Sequence, residues 1–190
     1  MARRKTITRD HILTAAYEVV STEGFTGFTA RNIASKMKSS TQPIYLEFKN
    51  MDDLRNAFFD KVEEYLRDSV FNKEISGDPI IDVVINFVEF AKNNKTFFRA
   101  LFIEDHVGGE KVNQFSIDIF YSKIEGHDVY DNLSDTQKET LFTSIWILAT
   151  GLSSLAASER IYPTEAEIVA ITKLTLKSLK NNPNFTITRK

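Results

Sequence analysis

Apolar residues recur at helical spacing through almost the whole chain, and this pattern constrains the fold more than any other feature of the sequence. Leu13, Ala16, Tyr17 and Val20, for example, follow one another as the residues on one face of an α-helix do. The 190 residues include only 7 glycines and 4 prolines. Because β-sandwiches and β-barrels need many turns, and turns need those two residues, the sequence predicts an all-α protein.

Caps and chain breakers divide the sequence into a small N-terminal part and a larger C-terminal part. Gly77 and Pro79 mark the clearest boundary. We expect a three-helix head at 1–50 with a basic arm at 1–7, a connecting helix at 51–73, a helical domain at 74–180 and a loose tail at 181–190. Helices of the larger domain are predicted at about 79–92, 95–105, 110–124, 134–158 and 164–180, with a polar loop at 125–133.

Local signals also define the third and fourth helices. Pro43 lies inside the third helix, but if Ser40 is the N-cap, Pro43 is the third helical residue and its missing N–H breaks no hydrogen bond. Asn50 is predicted to cap the fourth helix, whose first turn carries Asp52 and Asp53. We expect that helix to run to about Phe71.

Positive charge is concentrated at the N-terminus. Residues 1–50 carry eight Lys or Arg and four Asp or Glu, whereas the remainder carries 16 and 22. This asymmetry predicts a polyanionic partner for the head, although chance gives such a pattern as readily. Two short helices joined by a tight turn in a basic region favour a helix-turn-helix that reads the DNA major groove, with an ordinary helical corner as the alternative.

A specific motif favours the DNA-binding helix-turn-helix over an ordinary helical corner. It comprises Ile12, Ala15, Ala16, Phe25, the run 28–34 (Phe-Thr-Ala-Arg-Asn-Ile-Ala), Ser40, Ile44, Tyr45, Phe48, Lys49 and Leu54, and its most distinctive part is the segment 40–50. On these residues, positions 11–59 resemble the DNA-binding domain of the TetR family of transcriptional regulators. The rest of the chain agrees with that family in length and helical character, and residues 147–155 resemble its late dimerisation helix.

Three positions depart from the family pattern. Lys38 stands where the family usually has Gly, Ser39 where it has an apolar residue, and Met51 where it has a phosphate-binding lysine. A left-handed backbone at Lys38 costs roughly 1 kcal/mol relative to Gly, which a fold can absorb. Lys49 could replace the contact that Met51 cannot make.

The resemblance implies roles in DNA binding. Gln42 could bond adenine while Thr41 or Pro43 touches a thymine methyl group. Thr29 could bind a phosphate at a helix N-terminus, and the Tyr45 hydroxyl could bind another unless its ring only packs in the core. Arg3, Arg4 and Lys5 could follow the DNA as a basic arm. The predicted DNA-binding residues are Thr29, Arg31, Ser40, Thr41, Gln42, Pro43, Tyr45 and Lys49.

The larger domain would, by the same resemblance, form a homodimer and enclose a cavity for a small apolar or amphipathic effector. For each single aromatic residue named for the cavity, packing in an ordinary helical core is the favoured alternative. The predicted ligand-binding residues are Phe90, Phe98, Phe102, Phe120, Tyr121, Phe142 and Trp146. The predicted dimer interface consists of Ile145, Leu148, Ala149, Leu152, Leu155, Ala156, Ile171 and Leu174, which form stripes on the last two helices.

Other functions find little support in the sequence. The chain has no cysteine, no recognisable catalytic motif and no run of 18 apolar residues, so we expect a cytoplasmic protein with no membrane partner and no cofactor. Residues 104–106 (Glu-Asp-His) make a poor metal site because adjacent residues on a helix point apart. The sequence predicts a dimeric, ligand-responsive repressor of a palindromic operator in double-stranded DNA. The alternatives are a regulator controlled by a protein partner and a helical ligand-binding or enzymatic protein whose head does not read DNA.

Overall fold

The structure, a computed structural model, describes residues 7–104 and 106–187. Within these residues the chain forms α-helices, short helical turns and loops, and no β-strand, so the predicted all-α class is confirmed. The helices are α1 (Arg9–Glu23), α2 (Ala30–Lys36), α3 (Gln42–Glu47), α4 (Met51–Tyr65), α5 (Pro79–Asn93), α6 (Lys95–Phe102), α7 (Gly109–Ile124), α8 (Asp128–Asp131), α9 (Asp135–Ala157) and α10 (Glu165–Asn181).

The chain divides into two compact units that interleave in sequence. Of the described residues, unit 1 comprises 7–65, 96–104 and 106–112, and unit 2 comprises 66–95 and 113–187. This division differs from the boundaries predicted near 50 and 74, because α6 packs with the first helices of the chain. The Phe97 ring lies 4.7 Å from the Tyr17 ring and 6.5 Å from the Phe58 ring, measured between centroids.

The helix ends in unit 1 follow local chemistry. Gly24 ends α1 with a φ of 70°, a left-handed conformation that glycine adopts without strain. The predicted cap of α4 is confirmed: the Asp53 N–H donates to Asn50 Oδ1 at 2.9 Å, and Asp53 Oδ2 accepts from the Lys49 N–H at 2.9 Å. α4 itself ends at Tyr65 and not near Phe71, because a π-helical turn occupies 66–70.

Unit 2 is built around α5, which packs most extensively against α9 and next against α10. The boundary before α5 is held by two carboxylates. Asp78 Oδ1 accepts from the N–H groups of Ile80 (2.9 Å) and Ile81 (3.2 Å), and the buried Asp82 accepts from the Ser76 N–H at 2.7 Å. The predicted Ser134–Gln137 capping box at the start of α9 is confirmed.

One helix in the part of the chain that the structure describes, α9, is long and apolar enough to cross a membrane by length and composition alone. Its most apolar stretch has a mean hydropathy of 1.5, and 44% of that stretch is buried inside the protein. The core helix of a globular domain has the same two properties. We therefore treat α9 as the central helix of unit 2, where it packs on α5.

Candidate nucleic-acid interface

The turn between α2 and α3 has a defined hydrogen-bonding pattern. The Ser39 N–H donates to the Ala34 carbonyl and the Lys38 N–H donates to the Ser35 carbonyl, each at 3.0 Å. This pair of bonds is the Schellman motif, which ends a helix with one left-handed residue. That residue is Lys38, with a φ of 53°, so the predicted left-handed backbone at this position is confirmed.

The second helix of this pair, α3, begins later than predicted. α3 begins at Gln42, so its N-cap is Thr41 and not Ser40, and the Thr41 carbonyl accepts from the Ile44 N–H at 3.1 Å. Ser40 belongs to the turn, where its carbonyl accepts a hydrogen bond from the Ser39 hydroxyl at 3.0 Å. Pro43 is therefore the second helical residue, and its missing N–H still breaks no intrahelical bond.

Two apolar anchors and one arginine fix the position of α3. Ile44 and Phe48 are buried, and the Arg9 guanidinium lies over the Phe48 ring, 4.2 Å from its centroid. Arg9 Nη1 also donates to the Glu47 carbonyl at 3.3 Å, which places a cation at the negative end of α3. Sequence reasoning missed Arg9, because nothing in a separation of 38 residues signals this contact.

The remaining surface of α3 is open. Ser40, Gln42 and Lys49 are exposed, while Thr41 and Pro43 are half-buried. Tyr45 is 53% exposed, so its ring does not pack in the core. Of the two roles considered for Tyr45, phosphate binding by its hydroxyl group is the one that stays a prediction. The side chains of Gln42, Tyr45 and Lys49 form no hydrogen bond or ion pair with residues 7–104 or 106–187.

Leu46 is a further exposed residue on α3 that sequence reasoning missed. It is 76% exposed and lies one helical turn after Gln42, on the same face. An apolar side chain at this place cannot serve the core of its own subunit. Its chemistry suits a thymine methyl group in the major groove. The sequence contains a signal for this position, because residues four apart in a helix, such as Gln42 and Leu46, lie on the same face.

The start of α2 carries the other predicted contacts. Thr29 is the exposed N-cap of α2, and its Oγ1 accepts from the Asn32 N–H at 3.2 Å. Arg31 is exposed on the first turn. Phosphate binding by these two residues stays a prediction. The predicted basic arm of Arg3, Arg4 and Lys5 lies outside the described residues.

The residues predicted to bind an effector do not form one site. Phe120, Phe142 and Trp146 line a cavity of about 20 Å³ in unit 2, together with Phe71 and Phe87. This volume holds about one water molecule. Phe90 and Tyr121 also lie in unit 2 but do not line the cavity, whereas Phe98 and Phe102 pack against each other in unit 1 with ring centroids 5.8 Å apart.

The predicted dimer stripe divides in a similar way. Ile145, Ala149 and Ala156 are buried within unit 2, so they are unavailable to a second copy. Leu148 and Leu152 are half-buried, and Leu155, Ile171 and Leu174 are exposed. Ile147, which is 57% exposed, was not in the predicted set. The stripe at 145, 149 and 156 was misassigned because helical spacing marks an apolar face without saying what covers it.

His106 has a structural environment. Its ring stacks on Phe25 and on Phe59, at centroid distances of 4.4 and 5.6 Å, and those two rings also contact each other. Nδ1 accepts from the Gly108 N–H at 3.1 Å, so Nε2 carries the proton that it donates to the Leu101 carbonyl at 3.0 Å. Both ring nitrogens are therefore used, and the described residues contain no group of three side chains that could hold a metal ion.

Comparisons with known proteins agree with the geometry of the head. Residues 12–58, from α1 into α4, match the family of bacterial regulatory proteins named tetR. The fold is similar to that of a TetR-family protein from Vibrio parahaemolyticus, with 14% sequence identity, 89% of this chain and 96% of that chain covered, and a TM-score of 0.67. No curated protein sequence matches the chain significantly. Residues 12–58 thus carry the tetR-type DNA-binding domain, and the fold of the chain is similar to that of a TetR-family protein.

Proposed function

We propose that this protein is a homodimeric repressor that binds a palindromic operator and is released from it by a small apolar or amphipathic effector. The observation that carries the proposal is the surface of α3, which is anchored from behind by Ile44, Phe48 and Arg9 while its other side chains are free to bind. A helix held in this way can enter the major groove without disturbing the core of its own unit.

Base reading is assigned to the first turn of α3 and the next turn on the same face. Gln42 can donate and accept toward adenine, and Leu46, Thr41 or Pro43 can contact a thymine methyl group. Binding to the DNA backbone is assigned to five exposed residues of the head that carry hydroxyl groups or cations: Thr29, Arg31, Ser40, Tyr45 and Lys49. The exposed Lys49 lies two residues before Met51, close enough in sequence to take over its phosphate contact.

The dimer is proposed to form through α9 and α10. Leu174 is 67% exposed, and Ile147, Leu155 and Ile171 are also exposed, which is unusual for large aliphatic side chains on neighbouring helices. Half-buried Leu148 and Leu152 extend this surface. A two-fold axis through such a surface would present two heads to a palindrome and roughly double the DNA contacts.

Release by an effector requires the cavity beside Phe142 and Trp146 to open. In the present arrangement the Trp146 ring lies 5.9 Å from Phe142 and 5.4 Å from Phe87, and the cavity admits no larger molecule than water. An effector that binds an opened form would shift the population of head arrangements toward one with lower operator affinity. We place the protein in the cytoplasm, with the DNA it regulates.

The rival function, a helical protein whose head does not bind DNA, rests on Lys38, Ser39 and Met51. Lys38 does not argue against DNA binding, because the Schellman turn forms with lysine in the left-handed position. Ser39 also takes part in that turn through its N–H and its hydroxyl. Met51 remains the one departure that favours the rival.

Selection from a random double-stranded DNA library tests the proposal. We expect an inverted repeat whose half-sites lie about one helical turn or more apart, bound saturably and with a steep loss of affinity as salt rises. The matched control is the Gln42→Ala variant, which should select the same repeat with one position relaxed. Weak binding without any enriched sequence would refute DNA reading and favour the rival.

A further inference from the structure

Unit 2 contains a second, larger pocket that is separate from the cavity beside Trp146. It has a volume of about 460 Å³ and lies between α8, the beginning of α9, the end of α10 and the segment 182–187 that follows α10. Its walls are mainly aliphatic and aromatic, formed by Leu133, Leu141, Leu176, Leu179 and Phe185. A volume of this size is within the range of small-molecule sites, roughly 300–1,000 Å³.

The pocket exists because the buried face of α10 continues beyond the helices that cover it. Ile168, Thr172, Leu176 and Leu179 lie on one face of α10. Ile168 and Thr172 are fully buried, whereas Leu176 and Leu179 are only half-buried and line the pocket. The segment after α10 closes this region incompletely, since Phe185 lines the pocket and remains half exposed.

The acidic group in the lining is already bonded. Both Asp78 oxygens accept from the Tyr130 hydroxyl at 3.0 Å, and Oδ1 also accepts from the first N–H groups of α5. Burial, with the nearby Asp78 charge, raises the pKa of Tyr130, so the phenol keeps its proton and remains the donor. Asp78 is therefore occupied and offers little to a cationic ligand.

The basic groups in the lining are in the opposite situation. Lys177 and Lys180 both line the pocket, and neither ammonium group forms an ion pair or hydrogen bond with the described part of the chain. An amphiphile with a negative head and an apolar body would match both halves of this lining. Its body would remove leucine side chains from water, and its head would meet the two cations.

We propose that this pocket binds a small amphiphile with an anionic head, its alkyl body between Leu141, Leu176 and Leu179 and its carboxylate or phosphate at Lys177 and Lys180. The site lies apart from the cavity assigned to the repressor's effector, because the two share no lining residue. It also does not depend on DNA reading, so the protein can be tested for it in the absence of an operator.

Sodium decanoate below its micellar concentration is a suitable probe, with decan-1-ol as the uncharged control. Calorimetry should show one saturable site per chain for decanoate. Methyl NMR should show shifts at Leu133, Leu141, Leu176 and Leu179 and none at Ile119 or Ile145, which line the smaller cavity. Decan-1-ol should bind several-fold more weakly, because it leaves both lysines without a partner.

Three variants sharpen the test. Lys180→Ala should weaken decanoate about 5-fold and leave decan-1-ol unchanged, as expected for a partly exposed charge contact. Leu179→Trp should fill the pocket and weaken both probes about 10-fold or more. Lys173→Ala, an exposed lysine of α10 outside the pocket, should change neither. Circular dichroism confirms that each variant is folded, and Lys180→Ala changes only a surface side chain.

Several results would overturn the proposal. These are the absence of saturable decanoate binding, equal affinity for both probes with no effect of Lys180→Ala, methyl shifts at Ile119 and Ile145 only, and intersubunit contacts showing that a second copy fills the pocket. Each of these leaves the operator selection unaffected, so failure of this site and failure of DNA reading are distinguishable.

Discussion

Removing the Cβ atom at Lys38 should stabilise the protein, because this residue holds a left-handed backbone. A side chain in that conformation costs about 1–2 kcal/mol relative to glycine. Glycine loses about 0.5–1 kcal/mol more chain entropy on folding than alanine does. The φ of Lys38 is 53° and both Schellman bonds are 3.0 Å long. We therefore expect the free energy of unfolding to be about 1 kcal/mol larger for Lys38→Gly than for Lys38→Ala.

The comparison with alanine is essential, since both variants lose the lysine side chain and differ only in the Cβ atom. Far-UV circular dichroism in urea is the suitable assay, because the one tryptophan, Trp146, lies in unit 2 and would not report directly on the head. Thermal midpoints should differ by about 2–4 °C for a chain of this size.

A second site in the same molecule repeats the measurement. Glu159 has a φ of 58°, and the Arg160 N–H donates to the Leu155 carbonyl at 2.9 Å in the same motif at the end of α9. Both Glu159→Gly and Glu159→Ala lose the ion pair with Lys95, so that loss cancels in their difference. If the alanine and glycine variants are equally stable at both positions, a side chain in the left-handed conformation is not strained at these helix ends.

Three further predictions follow from the head and the dimer surface. Gln42→Ala should cost roughly 1–3 kcal/mol at the operator and relax one base pair, as measured by anisotropy on a set of single-base operator variants; equal binding to all variants by mutant and parent would contradict base reading. Arg9→Ala should weaken binding to every operator variant to a similar extent and lower the free energy of unfolding by about 1 kcal/mol, because Arg9 positions α3 without touching a base. Arg9→Lys should restore part of the affinity and part of the stability. A change in base preference in Arg9→Ala would contradict this positioning role. Leu174→Glu should cost several kcal/mol of association and give particles near 21.7 kDa in light scattering, with Lys173→Glu as the charge control; a wild-type monomer at micromolar concentration would refute the dimer.

Much of the fold could be predicted from the sequence, because local rules determine where helices begin and end. Asn50 and Ser134 cap α4 and α9 as expected, and Gly24 ends α1. The left-handed Lys38 was also predictable, since the family motif places glycine there. The prediction of Ser40 as the cap of α3 is wrong by one residue, because Ser40 and Thr41 both have cap chemistry and the sequence does not show at which of them the turn ends.

Tertiary partners could not be predicted, because an apolar stripe specifies burial and not its partner. The stripe containing Ile145 and Ala149 fits a dimer surface equally well, yet it is buried within unit 2, where α9 packs on α5. Phe98 was grouped with Phe142 as cavity lining, but α6 lies almost entirely in unit 1. The contact of Arg9 with α3 depends in the same way on packing between distant parts of the chain.

The most direct test of the central claim, that α3 enters the major groove, uses the absence of cysteine from the chain. A DNA-cleaving iron chelate attached to Gln42→Cys should cut both strands within each half-site of the selected operator. The same chelate on Ser178→Cys, an exposed position on α10, should give no cutting above background. Cutting in two symmetric clusters from position 42 alone is the result we predict. No cutting from position 42 on DNA that the protein protects, or equal cutting from both positions, would contradict the assignment of α3 as the reading helix.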